Sequence, residues 1–309
     1  MTRSLLLFAF LAVSVRQAPQ PAAPAPPPPG TDIYELTFDG TLAGLASAKA
    51  QPISVERGYD NQPFYTPDGA SVLFTAIRDG KQTDIYEFDR ATRKSKPLIT
   101  TPEGEYSPTI TPDGKGISVI RVEPDKTQRL WRFDRTGKSP AVILPDIKPV
   151  GYHTWIDADQ LVLFVLGPPA TLQLARISTG KADTVARDIG RSLQRIPGGR
   201  LVSFVMREPS ASGAPSGDYG VYAVHPSGTI TALTKVAPGS ADRDCAWLSD
   251  GTLIMSAGAK IMAWKTGDKE WRQAFDGAPL NLSSITRMAL SPDGKSLAVV
   301  VSEPDPQKK

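Results

Sequence analysis

Catalysis needs a nucleophile, a base or a metal cage, and this sequence offers few residues for any of them. It has two histidines, His153 and His225, and one cysteine, Cys245. Two isolated histidines cannot build a three-histidine zinc site, and a single cysteine excludes both a thiolate cage and an internal disulfide. Serine hydrolysis needs a histidine base oriented by a carboxylate, and no Gly-x-Ser-x-Gly elbow occurs. Asp157-Ala158-Asp159 resembles the start of a calcium loop, but Val162 stands where that loop needs glycine and no closing glutamate follows. A turn is therefore expected there. Cys245 precedes Ala246-Trp247-Leu248, which predicts a small buried residue and not a reactive thiol. Neither a cofactor nor a metal is expected.

The elements that must position any site are short strands. The chain has 29 prolines and 26 glycines with a net charge of +3, and its apolar residues recur at period two in short runs bounded by turn residues. No segment has the spacing of an amphipathic helix. One turn recurs: Tyr65-Thr66-Pro67-Asp68-Gly69, Ile110-Thr111-Pro112-Asp113-Gly114 and Leu290-Ser291-Pro292-Asp293-Gly294, each followed by an apolar run. Eroded copies lie at Ile156 to Asp159, Ile196 to Gly199 and Leu248 to Gly251. The spacing of about 40–50 residues, with four strand-like runs per repeat, is that of propeller blades. Proline presets φ, aspartate bonds the local backbone and glycine accepts positive φ, so each copy is a hairpin turn.

The sixth repeat ends two strands short, soon after Val301. The missing strands appear at the other end of the chain. Thr31-Asp32-Ile33-Tyr34-Glu35-Leu36 nearly duplicates the third strand of the first repeat, Thr83-Asp84-Ile85-Tyr86-Glu87-Phe88, and Gln51 to Val55 supplies a fourth. The spacing therefore predicts an all-β, six-bladed β-propeller over residues 31–305, with its last blade completed by the N-terminal strands. Ahead of it, Arg3 and the apolar run from Leu5 to Val13 read as a signal peptide over 1–17, too short to span a bilayer comfortably. Residues 18–30 are a Pro/Ala-rich linker of about 40 Å, and 306–309 form a tail. Glu208 to Gly217 is expected to be a mobile surface loop. Without the leader, basic and acidic residues nearly balance, so net charge gives no argument for nucleic acid or an anionic membrane, and no nucleic-acid partner is expected.

The Ser/Thr-Pro-Asp-Gly turn, with the Asp-Ile-Tyr strand further on, resembles the WD40-like repeat of TolB-type propellers. That resemblance implies the fold, export to the periplasm or extracellular space, and a binding habit. TolB itself also carries a small α/β domain before its propeller. A Pro-rich spacer stands there instead, so the Tol-Pal role is not carried over.

In a propeller the loop entering each innermost strand lines one mouth of the central channel. Aligning the repeats on their turns brings Tyr59, Asp60, Asn61 and Gln62 of blade 1 beside Glu105, Tyr106 and Ser107 of blade 2. Blade 3 gives Tyr152 and His153, and blade 4 gives Arg191 and Ser192. Blade 5 gives Arg243 and Asp244, and blade 6 gives Thr286 and Arg287. Acidic and aromatic groups thus face basic ones, which suits a small anionic ligand or a peptide. The leading expectation is an exported, monomeric, non-enzymatic propeller that binds an envelope or extracellular protein, or a small ligand, at this mouth. It touches a membrane only if the leader is uncleaved. A hydrolase or lyase built on His153, Glu105 and Asp244 is the first alternative and requires His153 to reach a carboxylate. A scaffold binding through its blade sides is the second and requires an exposed apolar patch.

Overall fold

The computed structural model describes residues 28–303, except 79, 81 and 210–214. The leader, most of the linker, the tail and the tip of the Glu208–Gly217 hairpin lie outside the described residues. The chain folds into six four-stranded antiparallel sheets arranged as a ring. Blade 1 runs through Asp60–Tyr65, Ser71–Ile77, Thr83–Asp89 and Lys94–Ile99, from the innermost strand outwards. Blades 2 to 5 repeat the pattern, with innermost strands Gly104–Ile110, Val150–Trp155, Ile189–Arg195 and Cys245–Trp247. Each innermost strand touches those of the two neighbouring blades, and that of blade 6, Ile285–Leu290, touches that of blade 1.

Blade 6 closes as its sequence predicts. Thr31–Thr37 pairs antiparallel with Ser296–Ser302 along its whole length, and Lys49–Ser54 adds the outer strand. Between them sits a short helix, Leu42–Leu45, that strand patterning did not predict. Thr41 caps it by accepting the Gly44 N–H through Oγ1 at 2.9 Å.

The core is divided into six clusters, one in each gap between neighbouring blades, including the gap between blades 6 and 1. That division follows from strand alternation. Val72, Phe74 and Ala76 of blade 1 pack on Ile33, Ala298 and Val300 of blade 6. Leu73 points the other way, onto Ile110, Ile117 and Val119 of blade 2. Because both faces of a blade are covered, its second strand is buried along most of its length and mostly apolar rather than alternating.

The recurrent turns have the geometry their residues dictate. Asp68, Asp113 and Asp293 each accept the hydroxyl of the Thr or Ser two residues before, at 2.5–2.6 Å. The following glycines, Gly69, Gly114 and Gly294, have φ near +70°. Those hydrogen bonds hold all three carboxyls below the usual carboxylate range. Asp157 Oδ1 accepts the Asp159 and Gln160 N–H groups at 2.8 Å, so the calcium-like stretch is a turn of the same kind. Cys245 is fully buried, and burial pushes its thiol up to about 12.

Candidate functional site at the central channel

The innermost strand of each blade has one free edge, which faces the ring axis. Proline is tolerated there because no N–H is needed, and Pro63 and Pro108 occupy it in blades 1 and 2. Five of the six strands carry a register shift near their start, between Asn61 and Phe64 in blade 1 and between Tyr106 and Thr109 in blade 2. Gln62 and Ser107, inside two of those bulges, take positive φ.

The strands enclose a central cavity of about 470 Å³. Its wall includes the residue six positions before the turn aspartate, or its equivalent, in every blade: Gln62, Ser107, Tyr152, Ser192, Asp244 and Arg287. Two positions further on, a second ring follows: Phe64, Thr109, Thr154, Gln194, Ala246 and Ala289. Sequence reasoning stopped at the first ring. The period-two rule applied once more finds the second.

First-ring side chains also join blade to blade. Gln62 Oε1 accepts the Ser107 N–H at 2.7 Å, Ser192 Oγ accepts the Cys245 N–H at 3.3 Å, and Asp244 Oδ2 accepts the Met288 N–H at 2.7 Å. Each takes a backbone donor from the next inner strand, where a buried, unmet N–H would cost about 1–3 kcal/mol. One pair crosses the ring instead. Arg287 of blade 6 donates from Nη2 to the Tyr152 phenol of blade 3, on the opposite side, at 2.8 Å. Its guanidinium also lies 4.9 Å from the Tyr152 ring centroid. This pair bars the channel at the level of the first ring.

The predicted site residues divide into several groups. Tyr152, His153, Arg191, Asp244 and Arg287 all line the cavity. Tyr59 and Tyr106 stand next to them. Burial pushes the Tyr59 phenol up, opposed by Arg287 and Arg191 and reinforced by Tyr152 and Tyr106. Arg287 keeps its proton more firmly than usual: burial works against the charge, but Tyr152, Asp244 and Tyr59 outweigh it. Asp244 is pushed up by its burial, against the pull of Arg287. Arg191 pairs with Asp242 at 3.3 Å.

The other four lie elsewhere. Asp60 is buried in the seam between blades 6 and 1, where Arg78 meets it at 2.7 Å and the Ser54 hydroxyl donates to it at 2.8 Å. Asn61 is buried beside it and donates to Thr31 Oγ1 at 3.2 Å. Glu105, the blade 2 counterpart of Asp60, accepts from Thr101 at 2.6 Å and pairs with Arg121 at 3.2 Å. These residues precede the bulges, and a one-residue shift in register turns side chains to the opposite face. Arg243 lies over the Tyr219 ring, 3.9 Å from its centroid, in a separate cleft between blades 4 and 5.

His153, Glu105 and Asp244 are therefore not brought together. The His153 ring is buried and shares a 2.7 Å hydrogen bond from Nε2 with Ser118 Oγ, to which Trp155 Nε1 donates at 2.9 Å. Burial holds the imidazole down at about 3, so it is neutral, and no carboxylate partners it among the described residues. Among those residues no group of three or more His, Cys, Asp or Glu could hold a metal ion. Among the described residues the exposed large apolar side chains, Val55, Val142, Leu166, Ile177 and Leu280, are spread over blades 6, 2, 3 and 5, with two on blade 3.

The buried carboxyls give the fold a pH dependence. Burial raises Asp60 from 3.8 to about 6 and Glu105 from 4.5 to about 7, against the pull of Arg78 on the first and of Thr101 and Arg121 on the second. A carboxyl raised on folding stabilises fully below its unfolded value, and that contribution is lost as pH rises through the folded value. The turn aspartates act in the opposite sense below about pH 4. The melting temperature is expected to be highest near pH 5 and to fall towards pH 8. In the Asp60→Asn/Glu105→Gln variant the fall above pH 5 should flatten, and an undiminished slope would assign it to other groups.

Fold and channel together define a closed six-bladed β-propeller whose axial cavity carries arginine, tyrosine and one carboxylate. No family model matches the sequence, and no curated protein does. Among solved structures, a protein assigned as TolB from Agrobacterium tumefaciens superposes with a TM-score of 0.65 at 15% identity, over 90% of this chain and 100% of that one. TolB from Acinetobacter baumannii gives 0.55 at 16% identity, and the match covers 89% of this chain but only 64% of that protein. An oligogalacturonate lyase in complex with manganese gives 0.56 at 15% identity, over 84% and 81% of the two chains. The fold is that of a TolB-like β-propeller. Since the same fold also carries a lyase, it does not decide activity.

Proposed function

We propose that this protein is an exported binding propeller that takes a protein segment or a small ligand at its central channel. The observation that carries this reading is the convergence of Tyr59, Tyr106, Tyr152, Arg191 and Arg287 on one end of a cavity of about 470 Å³. Cavities of this size hold small organic molecules, and a few converging polar groups orient them. Tyrosine and arginine are also the residues that most often dominate binding energy. The enzymatic alternative loses its stated requirement, because Ser118 and not a carboxylate partners His153. Export rests on the leader-like sequence over 1–17 and on the likeness in fold to TolB.

Capture from an envelope extract tests the reading. The wild-type chain and an Arg191→Ala/Arg287→Ala variant are immobilised and compared. Partners retained by the wild type and lost by the variant support the channel. Identical capture by both would rule out that mouth as the main site.

A further inference from the structure

We infer that the channel is a receptor for a small organic carboxylate with an apolar body, its carboxylate seated on Arg287. This rests on the proposed binding role and narrows it to a ligand class.

Charge is the first ground. Three arginines, Arg191, Arg195 and Arg287, line the cavity against one carboxylate, Asp244. Two of the arginines are already engaged. Arg195 donates to the carbonyls of Trp155, Ile156 and Gly199, and Arg191 pairs with Asp242. Asp244 accepts the Met288 N–H. Arg287 is different. A guanidinium has five N–H donors, and among the described residues its single hydrogen bond is to the Tyr152 phenol. None of its nitrogens is sealed away from the cavity without a partner. A cation held in a channel wall with spare donors is matched by a carboxylate, which binds through charge-assisted and often paired hydrogen bonds.

Shape and polarity are the second ground. Beyond the Arg287–Tyr152 bar the wall mixes apolar side chains, Phe64, Leu193, Ala246, Trp247 and Leu290, with the uncharged polar Thr109, Thr154 and Gln194 and the engaged Arg195. The cavity continues to Pro197, Ser249 and Pro292 in the turns at the far end of the inner strands. An anionic head against Arg287 therefore leaves the rest of the ligand room against the apolar part of that wall, Phe64, Ala246 and Trp247. Trp247 is the one tryptophan on this wall, and its Nε1 is already bonded to Ser203 at 2.8 Å, so it offers a ring face and no free donor.

The probes are 4-phenylbutyrate and its uncharged primary amide, measured by calorimetry and by intrinsic tryptophan fluorescence on the full chain. The expected result is binding of the acid at least about tenfold tighter than the amide, the size of one charge-assisted hydrogen bond. The fluorescence change should disappear in Trp247→Phe. Arg287→Gln, which keeps a donor for Tyr152, should reduce the acid to the affinity of the amide while its melting temperature reports that it is folded. If that variant does not fold, Tyr152→Phe decides. It removes the competing phenol, so the acid should bind about threefold tighter or more, and unchanged or weaker binding overturns the seat at Arg287. Equal affinity for acid and amide, or wild-type affinity in folded Arg287→Gln, also overturns it. If neither probe binds while capture still depends on the arginines, this inference fails and the broader binding role stands.

Discussion

A chain from which residues 31–54 have been deleted is expected not to fold as a soluble, cooperatively melting protein. The segment supplies two of the four strands of blade 6. It also supplies Ile33, Leu36 and Leu45, which have no exposure at all, and Ile53, which is 6% exposed. Burying an aliphatic side chain of this size stabilises by about 1.5–3 kcal/mol. Four of them therefore approach the whole net stability of a typical domain, about 5–15 kcal/mol. The deletion also bares the long edge of Ser296–Ser302, whose free N–H and C=O groups would template aggregation.

Polar contacts in the seam point the same way. Glu35, on the deleted strand, is buried and accepts from Tyr65 Oη at 3.0 Å and Arg90 Nε at 2.8 Å, both on blade 1. Removing it strands those partners. Circular dichroism and a thermal melt decide the matter. A soluble monomer melting within a few degrees of the full chain would show that the ring does not need its N-terminal closure.

The second large effect is expected from Arg78→Met. Arg78 meets Asp60 at 2.7 Å and Glu56 at 3.0 Å, donates to Ser54 Oγ at 3.0 Å, and lies over the Tyr86 ring. It thus ties blade 1 to the outermost strand of blade 6. Asp60 Oδ1 has no other partner among the described residues. Breaking a buried ion pair from one side leaves an uncompensated charge and costs about 3–5 kcal/mol. At pH 8 urea unfolding should report a loss of that order. At pH 5 the loss should be smaller, because Asp60, already raised to about 6, takes up a proton and ceases to be a buried charge. The Arg78→Met/Asp60→Asn double variant should recover most of the loss at pH 8, since the two residues are in contact and their effects do not add. Equal losses at both pH values would assign the role of Arg78 to packing on Tyr86 instead.

The position of the seam is legible in the sequence alone. The near-identity of Asp32-Ile33-Tyr34-Glu35 and Asp84-Ile85-Tyr86-Glu87 placed the closing strand, and Thr31–Thr37 occupies that place beside Ser296–Ser302. What was not legible is how the seam is held. Arg78 and Arg90 are ordinary cations in the sequence; Arg78 reaches Asp60 across the first hairpin of its own blade, and only the closed ring brings Arg90 against Glu35.

The channel shows the same division in sharper form. Strand periods, turn chemistry and a repeat of about 40–50 residues are local properties, and they were enough to determine six blades, their order and the strand from which each channel residue comes. Alignment on the Pro-Asp-Gly turns placed Tyr152, His153, Arg191, Asp244 and Arg287 on one inner wall, where they lie. The same alignment put Asp60, Asn61 and Glu105 there, and they lie in the gaps between blades. The difference is made by bulges at Gln62 and Ser107, whose positive φ leaves no mark in a strand pattern. Each bulge reverses the parity of the residues before it, turning an acid from the channel towards an arginine of its own blade. The Arg287–Tyr152 bar is likewise a property of the closed ring alone. The two residues are 135 positions apart in the chain, and they meet only because blades 3 and 6 face each other across the axis.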